Sequence, residues 1–176
     1  MLKTILDSDA FQDAVSKISK KILNNNQNIN ELAFVGVQRK GVFLAKKILS
    51  EIAKLAKTCE SQFPFGTLDI TLYRDDLDNF SLDMPLIKDT VIPFDISRKN
   101  IILIDDVLYT GRTIRAALDV LVNFGRPKSI QLAVLVDRGF RELPIEANYV
   151  GVKCQSEKFI KVECEEIDGV NKVMLN

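Results

Sequence analysis

The chain has 176 residues, and its 24 lysines and arginines balance 24 aspartates and glutamates, with no histidine. This length suits one domain with a sizeable core and is short for two, so we predict a single α/β domain over residues 1–176. The zero net charge gives no overall attraction to nucleic acid, and the lack of histidine excludes Ser–His–Asp catalysis and histidine-bound metal sites.

The cysteines and the apolar runs indicate the cellular compartment of the protein. Cys59, Cys154 and Cys164 are widely spaced and form no CxxC motif, which is typical of reduced thiols rather than of a disulfide framework or a zinc site. No stretch resembles a signal peptide or approaches the roughly 20 apolar residues of a membrane span. We therefore predict a cytoplasmic protein with no membrane partner.

An amphipathic helix opens the chain. Its apolar residues share one helical stripe, Ser8 or Asp9 is the expected cap, and asparagines at positions 24–26 end it. The stripe consists of Phe11, Val15, Ile18, Ile22 and Leu23. The opposite face carries Lys17, Lys20 and Lys21, which indicates a solvated surface or, less often, an anion-binding one.

A strand, a cationic loop and a helix follow. Residues 32–37 form an apolar run, and apolar positions at helical spacing continue to Leu55. The loop between them consists of Gln38, Arg39, Lys40 and Gly41. Such a loop suits an anion such as pyrophosphate, although this stretch alone favours a solvated turn.

Residues 68–94 predict a β-arm inserted in the α/β core. Residues 68–73 alternate as a strand, residues 86–94 are the expected partner, and the polar residues 74–79 between them form the connection. Long connections are uncommon without a function, so we predict a flap that closes over a reactive centre and excludes water. An ordinary exposed hairpin is the alternative.

The most informative stretch is residues 101–113. Apolar residues 101–104 predict a strand buried on both faces of a parallel sheet, and the strand ends in Asp105 and Asp106. A short loop over residues 110–113 then leads into a helix with one apolar face. That face consists of Ile114, Ala117, Leu118, Leu121 and Val122.

This order of strand, acids, loop and helix suits a phosphorylated sugar. Thr110, Gly111 and Thr113 precede a helix whose free backbone N–H groups and dipole favour a phosphate, and Arg112 adds a guanidinium. The adjacent carboxylates suit vicinal hydroxyls or a hydrated Mg²⁺. The sequence therefore indicates a ribose 5-phosphate site, with simple helix capping by the aspartates as the alternative.

A last buried strand and a short-stranded tail complete the chain. Residues 130–136 predict a strand that ends at the same ligand-facing edge of the sheet, where Asp137, Arg138 and Gly139 follow. Gly125 and Pro127 mark the end of the preceding helix. Residues 147–152, 159–167 and 170–175 indicate short strands, with a turn at Gly169.

Together these motifs resemble the family of pyrimidine operon attenuation proteins that are also uracil phosphoribosyltransferases. The resemblance spans nearly the whole chain, through residues 35–37, 41–45, 68–76, 104–113, 125–127, 136–139 and 141–144. It implies an α/β, three-layer, parallel-sheet core of the type I phosphoribosyltransferase fold, with a small hood and a β-arm flap. It also implies an enzyme that forms UMP and pyrophosphate from uracil and phosphoribosyl pyrophosphate (PRPP), with Mg²⁺ bound mainly through PRPP or pyrophosphate.

The resemblance also implies a role for each motif. The catalytic residues would be Asp105, Asp106, Tyr73 and Arg74: the two acids would hold the ribose hydroxyls, and Tyr73 to Asp76 would form the closing flap. The PRPP loop would consist of Val107, Leu108, Tyr109, Thr110, Gly111, Arg112 and Thr113. Gln38, Arg39, Lys40 and Gly41 would meet pyrophosphate, while Asp137, Arg138 and Gly139 would lie near the base. No residue is assigned as a direct metal ligand or as a general base.

The family implies homo-oligomers of two or more chains and UMP-dependent binding of a leader mRNA. The cations available for RNA are Lys17, Lys20, Lys21, Arg115 and Arg141. The chain has Lys40, Phe140, Glu146 and Val152 where relatives usually have arginine, histidine and two basic residues, and lost positive charge weakens attraction to RNA. The alternatives are an attenuator with little or no catalysis and a type I phosphoribosyltransferase for a different base.

Overall fold

The structure is a computed structural model that describes residues 3–73 and 89–176. The strands in these residues are β1 (Lys3–Leu6), β2 (Leu32–Val37), β3 (Phe65–Leu68), β4 (Asn100–Leu108), β5 (Ser129–Asp137), β6 (Tyr149–Lys153), β7 (Ile160–Glu163) and β8 (Lys172–Leu175). The helices are α1 (Ser8–Asn25), α2 (Lys40–Leu55), α3 (Arg112–Leu121) and the short α4 (Glu165–Asp168).

A parallel sheet in the order β3–β2–β4–β5–β6 forms the middle layer. Alternate residues of β4 enter two separate apolar cores: Ile102 and Ile104 pack with α1 and α2, while Ile101 and Leu103 pack with α3. Because both faces of the sheet are covered, β2 and the first half of β4 are apolar without alternation. The predicted three-layer α/β core is confirmed.

A smaller antiparallel sheet in the order β1–β8–β7 forms the predicted hood. Its buried residues Ile160, Val162, Cys164 and Val173 join the core that contains α1 and α2. Strand β1 was not predicted, because its four residues pair only with β8 at the far end of the chain. The hood thus packs on the same side of the main sheet as α1 and α2.

Two details of the helices differ from the prediction. Asp7 caps α1, since its carboxylate accepts the backbone N–H of Ala10 at 2.9 Å, so Ser8 and Asp9 lie inside the helix. Val122 is 52% exposed and does not belong to the apolar face of α3. The helix ends at Leu121, and the tighter 3-10 turn over residues 122–124 rotates Val122 off that face.

The predicted strand over residues 68–73 is wrong. Strand β3 ends at Leu68, and residues 71–73 form a 3-10 turn. The cause is Asp69, whose carboxylate accepts the backbone N–H and the hydroxyl of Thr71 and so turns the chain. Val91 does return antiparallel beside Thr67. Most of the predicted flap, Arg74 included, falls on residues 74–88, outside the described residues.

The helices of residues 3–73 and 89–176 also bear on membrane crossing. None of the helices there has the length and apolar character that a membrane span requires.

Candidate active site

The acidic pair lies inside β4 rather than after it. Strand β4 continues to Leu108, because Val107 and Leu108 still pair with Val136 and Asp137 of β5. Asp105 is 6% exposed, and its carboxylate accepts the backbone N–H of Asp106 at 2.9 Å. Burial raises the pKa of Asp106, while a hydrogen bond with Asp105 and the charge of Lys40 act in the opposite direction.

The cationic loop lies directly against this pair because β2 and β4 are neighbours in the sheet. Gly41 is the point of contact: a Cβ there would lie 2.5 Å from the Ile104 carbonyl oxygen and 3.3 Å from Asp105 Oδ1. Only glycine allows this approach of the start of α2 to β4. The loop also contains a cis peptide between Gln38 and Arg39. The predicted pyrophosphate loop and the predicted catalytic acids therefore lie together.

Lys40 links this loop to the hood. Its ammonium group donates to the Val162 carbonyl oxygen of β7, and its charge acts on both Asp106 and Cys164. Cys164 is 1% exposed, and burial, followed by the nearby charge of Asp106, raises the pKa of its thiol to about 11. Sequence reasoning did not find this contact, because residues 40 and 162 are distant in the chain and meet only when the hood folds over the sheet.

The predicted phosphate loop has the geometry of an anion-binding helix start. Gly111 adopts a left-handed conformation with φ of 94° immediately before α3, and its carbonyl accepts the N–H of Arg115 at 2.9 Å. The first N–H groups of a helix have no partner within the helix itself. The N–H of Arg112 donates to the Thr110 hydroxyl at 3.4 Å, a long hydrogen bond, and together with the N–H of Thr113 it borders the loop, where a phosphate is favoured.

The phosphate loop is fastened to the segment that follows β5. The carbonyl of Thr110 accepts the backbone N–H groups of Glu142 and Leu143 at 3.0 and 3.1 Å. Arg112 Nε donates to Glu142 Oε2 at 2.6 Å, and both side chains are about half exposed, at 48% and 51%. Since exposed pairs contribute only about 0–1 kcal/mol, a phosphate can compete with Glu142 for the guanidinium.

The residues predicted to lie near the base, Asp137 to Gly139, come at the end of β5 and contact the phosphate loop. The Arg138 guanidinium is buried, donates to the backbone oxygens of Ser156 and Glu157, and lies 3.8 Å from the centroid of the Tyr109 ring. Phe140 approaches the same ring edge-on at 6.4 Å between centroids. Tyr109 therefore contacts both Arg138 and Phe140, which joins the phosphate loop to the base-side turn.

Arg141 fixes this turn and was not recognised as doing so. Its guanidinium donates to Asp137 Oδ1 and to the backbone oxygens of Tyr109, Gly139 and Ile145. Asp137 also accepts the N–H of Gly139 at 3.0 Å. The sequence carried a signal, since an aspartate and an arginine four residues apart flank a glycine. Arg141 is thus committed to the fold rather than to an exposed cationic face.

Two further cations of the predicted RNA face also have partners. Lys17 donates to the Gly151 carbonyl oxygen at 2.9 Å, and Arg115 pairs with Asp119 at 3.0 Å on the exposed side of α3. Lys20 and Lys21 are exposed on α1. The structure therefore does not assemble the five predicted cations into one free surface.

The three predicted loops follow strands that are adjacent in the sheet, β2, β4 and β5, and they meet at its carboxyl edge. Tyr73 follows the neighbouring strand β3 and is 52% exposed. Among residues 3–73 and 89–176 no group of three or more acidic, cysteine or histidine side chains is arranged to hold a metal. The two carboxylates are nevertheless oxygen donors of the kind that Mg²⁺ prefers when a ligand supplies the remaining oxygens. The carboxyl edge of the sheet therefore brings an acidic pair together with a cationic loop and with a glycine- and hydroxyl-containing loop at a helix start.

Comparison with known proteins identifies the class. The phosphoribosyl transferase domain family model matches residues 1–167. The Bifunctional protein PyrR of Endomicrobium trichonymphae is 72% identical over 173 residues, covering 98% of both chains. That of Deinococcus radiodurans is 48% identical over 174 residues, covering 98% of this chain and 93% of its own.

Solved structures show the same fold at low identity. A hypoxanthine-guanine phosphoribosyltransferase from Bacillus anthracis is 19% identical with a TM-score of 0.73, covering 99% of this chain and 98% of its own. The hypoxanthine phosphoribosyltransferase of Trypanosoma cruzi is 15% identical with a TM-score of 0.75, covering 98% and 94%. The chain therefore belongs to the phosphoribosyl transferase domain family and, within it, to the PyrR proteins. The family, the fold and the enzyme class predicted from the sequence are confirmed.

Proposed function

We propose that the protein catalyses the reaction of uracil with PRPP to give UMP and pyrophosphate. The observation that carries this proposal is the placement of the acidic pair between two anion-binding loops, in a chain that is 72% identical to a Bifunctional protein PyrR. PRPP has a 5-phosphate, a vicinal diol and a pyrophosphate. The phosphate loop, the carboxylates and the cationic loop offer one complementary group for each.

The residues act mainly by positioning and electrostatics. The 5-phosphate would accept hydrogen bonds from the N–H groups at the start of α3 and from Arg112. The carboxylates of Asp105 and Asp106 would accept the ribose hydroxyls. As the bond from the ribose to pyrophosphate breaks, positive charge develops on the sugar, and the nearby carboxylates stabilise it.

Mg²⁺ would be bound mainly through the oxygens of PRPP and pyrophosphate, with Asp105 and Asp106 available to its hydration shell. When bound, it would neutralise charge on the leaving pyrophosphate. The protein's own cation at this point is Lys40, which is already fixed by the Val162 carbonyl. Lys40 therefore supports the position and ionisation of the acidic pair from the hood side.

The test is a radiolabelled uracil assay with PRPP and Mg²⁺ on wild type and on Asp105→Asn and Asp106→Asn. Both variants should lose most turnover, whereas Asp119→Asn, an exposed acid on α3, should not. Undiminished turnover in both active-site variants would rule out the site. A panel of other bases in the same assay would detect a different substrate: turnover with hypoxanthine but not uracil would keep the site and replace the base.

A second function, UMP-dependent binding of leader RNA, is favoured by the name of the relatives, which calls them bifunctional. A gel shift with the leader RNA of the protein's own pyrimidine operon, at stated salt, tests it. Absence of UMP-dependent binding near physiological salt would eliminate it. We further propose a single domain over residues 1–176, a cytoplasmic location and a homo-oligomer of two or more chains, which analytical ultracentrifugation would measure.

A further inference from the structure

A polar groove runs along the amino edge of the main sheet, opposite the active site. It lies where β4 and β5 begin, at the paired residues Asn100 and Ser129. Five residues of strand separate Asn100 from Asp105, which corresponds to about 16 Å. The groove is therefore a separate place on the molecule from the PRPP site, and none of the predicted roles used it.

One half of the groove is cationic. It is a cleft of about 520 Å³ lined by Glu31, Arg98, Arg126, Pro127 and Lys128. The two arginines come from different segments and are brought together where the Arg98 N–H donates to the Arg126 carbonyl oxygen at 3.4 Å. Both are exposed, and in the described parts of the chain neither guanidinium makes a hydrogen bond or an ion pair.

The other half is rich in amides. A cleft of about 350 Å³ continues from the first across Glu31 and Lys128, and it is lined by amide side chains from the end of α1 and by Asn100. Asn26 is committed to the fold, since its amide donates to the Ile22 carbonyl oxygen and to Gln131. Asn24, Asn25 and Gln27 are exposed at the rim. They can bond a polar, uncharged group.

One acid, Glu31, lines the groove, and a second, Asp95, lies near Arg98. Glu31 is paired with Lys128 at 2.6 Å, and that hydrogen bond is the main cause of its lowered pKa. Asp95 lies near enough to Arg98 to feel its charge, but its carboxylate accepts the backbone N–H of Ser97 at 2.8 Å. The Glu31–Lys128 pair thus divides the two halves, and Arg98 and Arg126 remain for an anion.

We propose that this groove binds a nucleotide unit, with its phosphate between Arg98 and Arg126 and its base against the amides of the second cleft. The planar guanidinium fork matches phosphate oxygens, and asparagine and glutamine side chains match the polar edges of bases. Both clefts are open grooves, which suits a ligand held by its phosphate and the polar edge of its base rather than one enclosed in a pocket. The same chemistry is offered by a free nucleotide and by single-stranded RNA, and the inference does not depend on catalysis.

The experiment compares the full-length protein with the double variant Arg98→Gln/Arg126→Gln. Its matched control is Lys46→Gln/Lys54→Gln, which removes two exposed charges on α2 that have no predicted role in RNA binding. UMP binding is counted by calorimetry, and binding of fluorescein-labelled hexauridylate is measured by anisotropy at 50 and 200 mM salt. The salt concentrations are chosen at about the range where phosphate contacts lose affinity steeply.

For a free nucleotide, wild type and control should bind one more UMP per chain than the arginine variant, whose remaining sites keep their affinity. For RNA, the arginine variant should bind the oligonucleotide about tenfold or more weakly than wild type, since one lost charge-assisted bond is worth about that factor. Either result supports the groove and identifies the source of the nucleotide.

The proposal is overturned if neither ligand distinguishes the arginine variant from wild type, or if only the control loses RNA binding. The uracil assay and thermal unfolding report folding, since Arg98 and Arg126 have no place in the active site. The single variants Arg98→Gln and Arg126→Gln give the same comparison if the double variant unfolds, and each should show a smaller loss in the same direction.

Discussion

Replacing Gly41 with alanine would test whether contact between α2 and β4 sets the geometry of the active site. The new methyl carbon would lie 2.5 Å from the Ile104 carbonyl oxygen and 3.1 Å from Asp105 Cα, where ordinary contact begins at 3.4 Å. Both neighbours are backbone atoms of a buried strand and cannot rotate away. The start of α2 must therefore move by about 0.9 Å, the difference between ordinary contact and the 2.5 Å separation.

A shift of this size should affect catalysis more than stability. Overpacking costs about 1–3 kcal/mol, and the better helix propensity of alanine offsets up to about 1 kcal/mol of that. Misplacing a binding loop by about 1 Å, in contrast, can cost about a hundredfold in rate. We expect kcat/KM for PRPP to fall by about that factor while Gly41→Ala remains folded.

The assay is the initial rate of UMP formation at varied PRPP, with circular dichroism to establish folding. Gly169→Ala is the matched control, because Gly169 is left-handed with φ of 75° but has nothing within 4 Å of an added Cβ. That variant should lose about 1–2 kcal/mol of stability through backbone strain and keep its kcat/KM. A folded Gly41→Ala protein with wild-type kcat/KM would refute the proposed coupling of helix contact to the site.

Three other predictions concern titratable groups. Burial raises the pKa of Asp106 above 3.8, so the folded protein loses stability as pH rises through the raised value. Asp106→Asn should therefore have a higher melting temperature than wild type at pH 7–8, and this difference should disappear toward pH 3. An equal difference in melting temperature at both pH values would contradict burial of the carboxylate as the cause. Lys40→Met removes a charge that lowers the pKa of Asp106, so the acid limb of the kcat/KM profile should move to higher pH, whereas Lys40→Arg should not move it. With a disulfide reagent at pH 8, the exposed Cys59 should react rapidly. The buried Cys164, whose pKa is about 11, should react only after denaturation. Rapid reaction of both thiols in the native protein would show instead that the hood opens.

The central strand shows both the strength and the limit of sequence reasoning. Residues 101–104 predicted a strand buried on both faces, and the structure has one there. Its end could not be predicted from its own pattern, because Asp105 to Leu108 are held in the strand by pairing with β5. Strand length was therefore decided by a neighbour, not by the apolar run.

Contacts that bridge distant segments were also beyond the sequence. The bond from Lys40 to Val162 depends on the hood packing over the sheet, and β1 exists only because β8 returns beside it. At Asp69 the alternating pattern of apolar residues predicted a strand, but an aspartate two residues before a threonine also favours a turn. The hydrogen bonds from Thr71 to the Asp69 carboxylate form that turn and end the strand. The loops of the candidate site were predictable because glycine, hydroxyl and charged residues cluster at strand ends.

The positions that differ from the usual family pattern bear unequally on the two proposed activities. Phe140 packs against Tyr109 in the base-side turn, which Arg141, a position that matches the family, fixes through Asp137 and backbone oxygens. None of the groups proposed to hold PRPP depends on Glu146 or on a free cation at position 17, since Lys17 is bonded to Gly151. The loss of positive charge at position 146, where relatives usually have a basic residue, therefore weakens the attraction to RNA but does not affect the acidic pair. Catalysis and RNA binding should therefore be separable by mutation. Lys20→Gln/Lys21→Gln or Arg98→Gln/Arg126→Gln should weaken RNA binding and leave uracil turnover unchanged, whereas Asp105→Asn should abolish turnover and leave RNA binding unchanged.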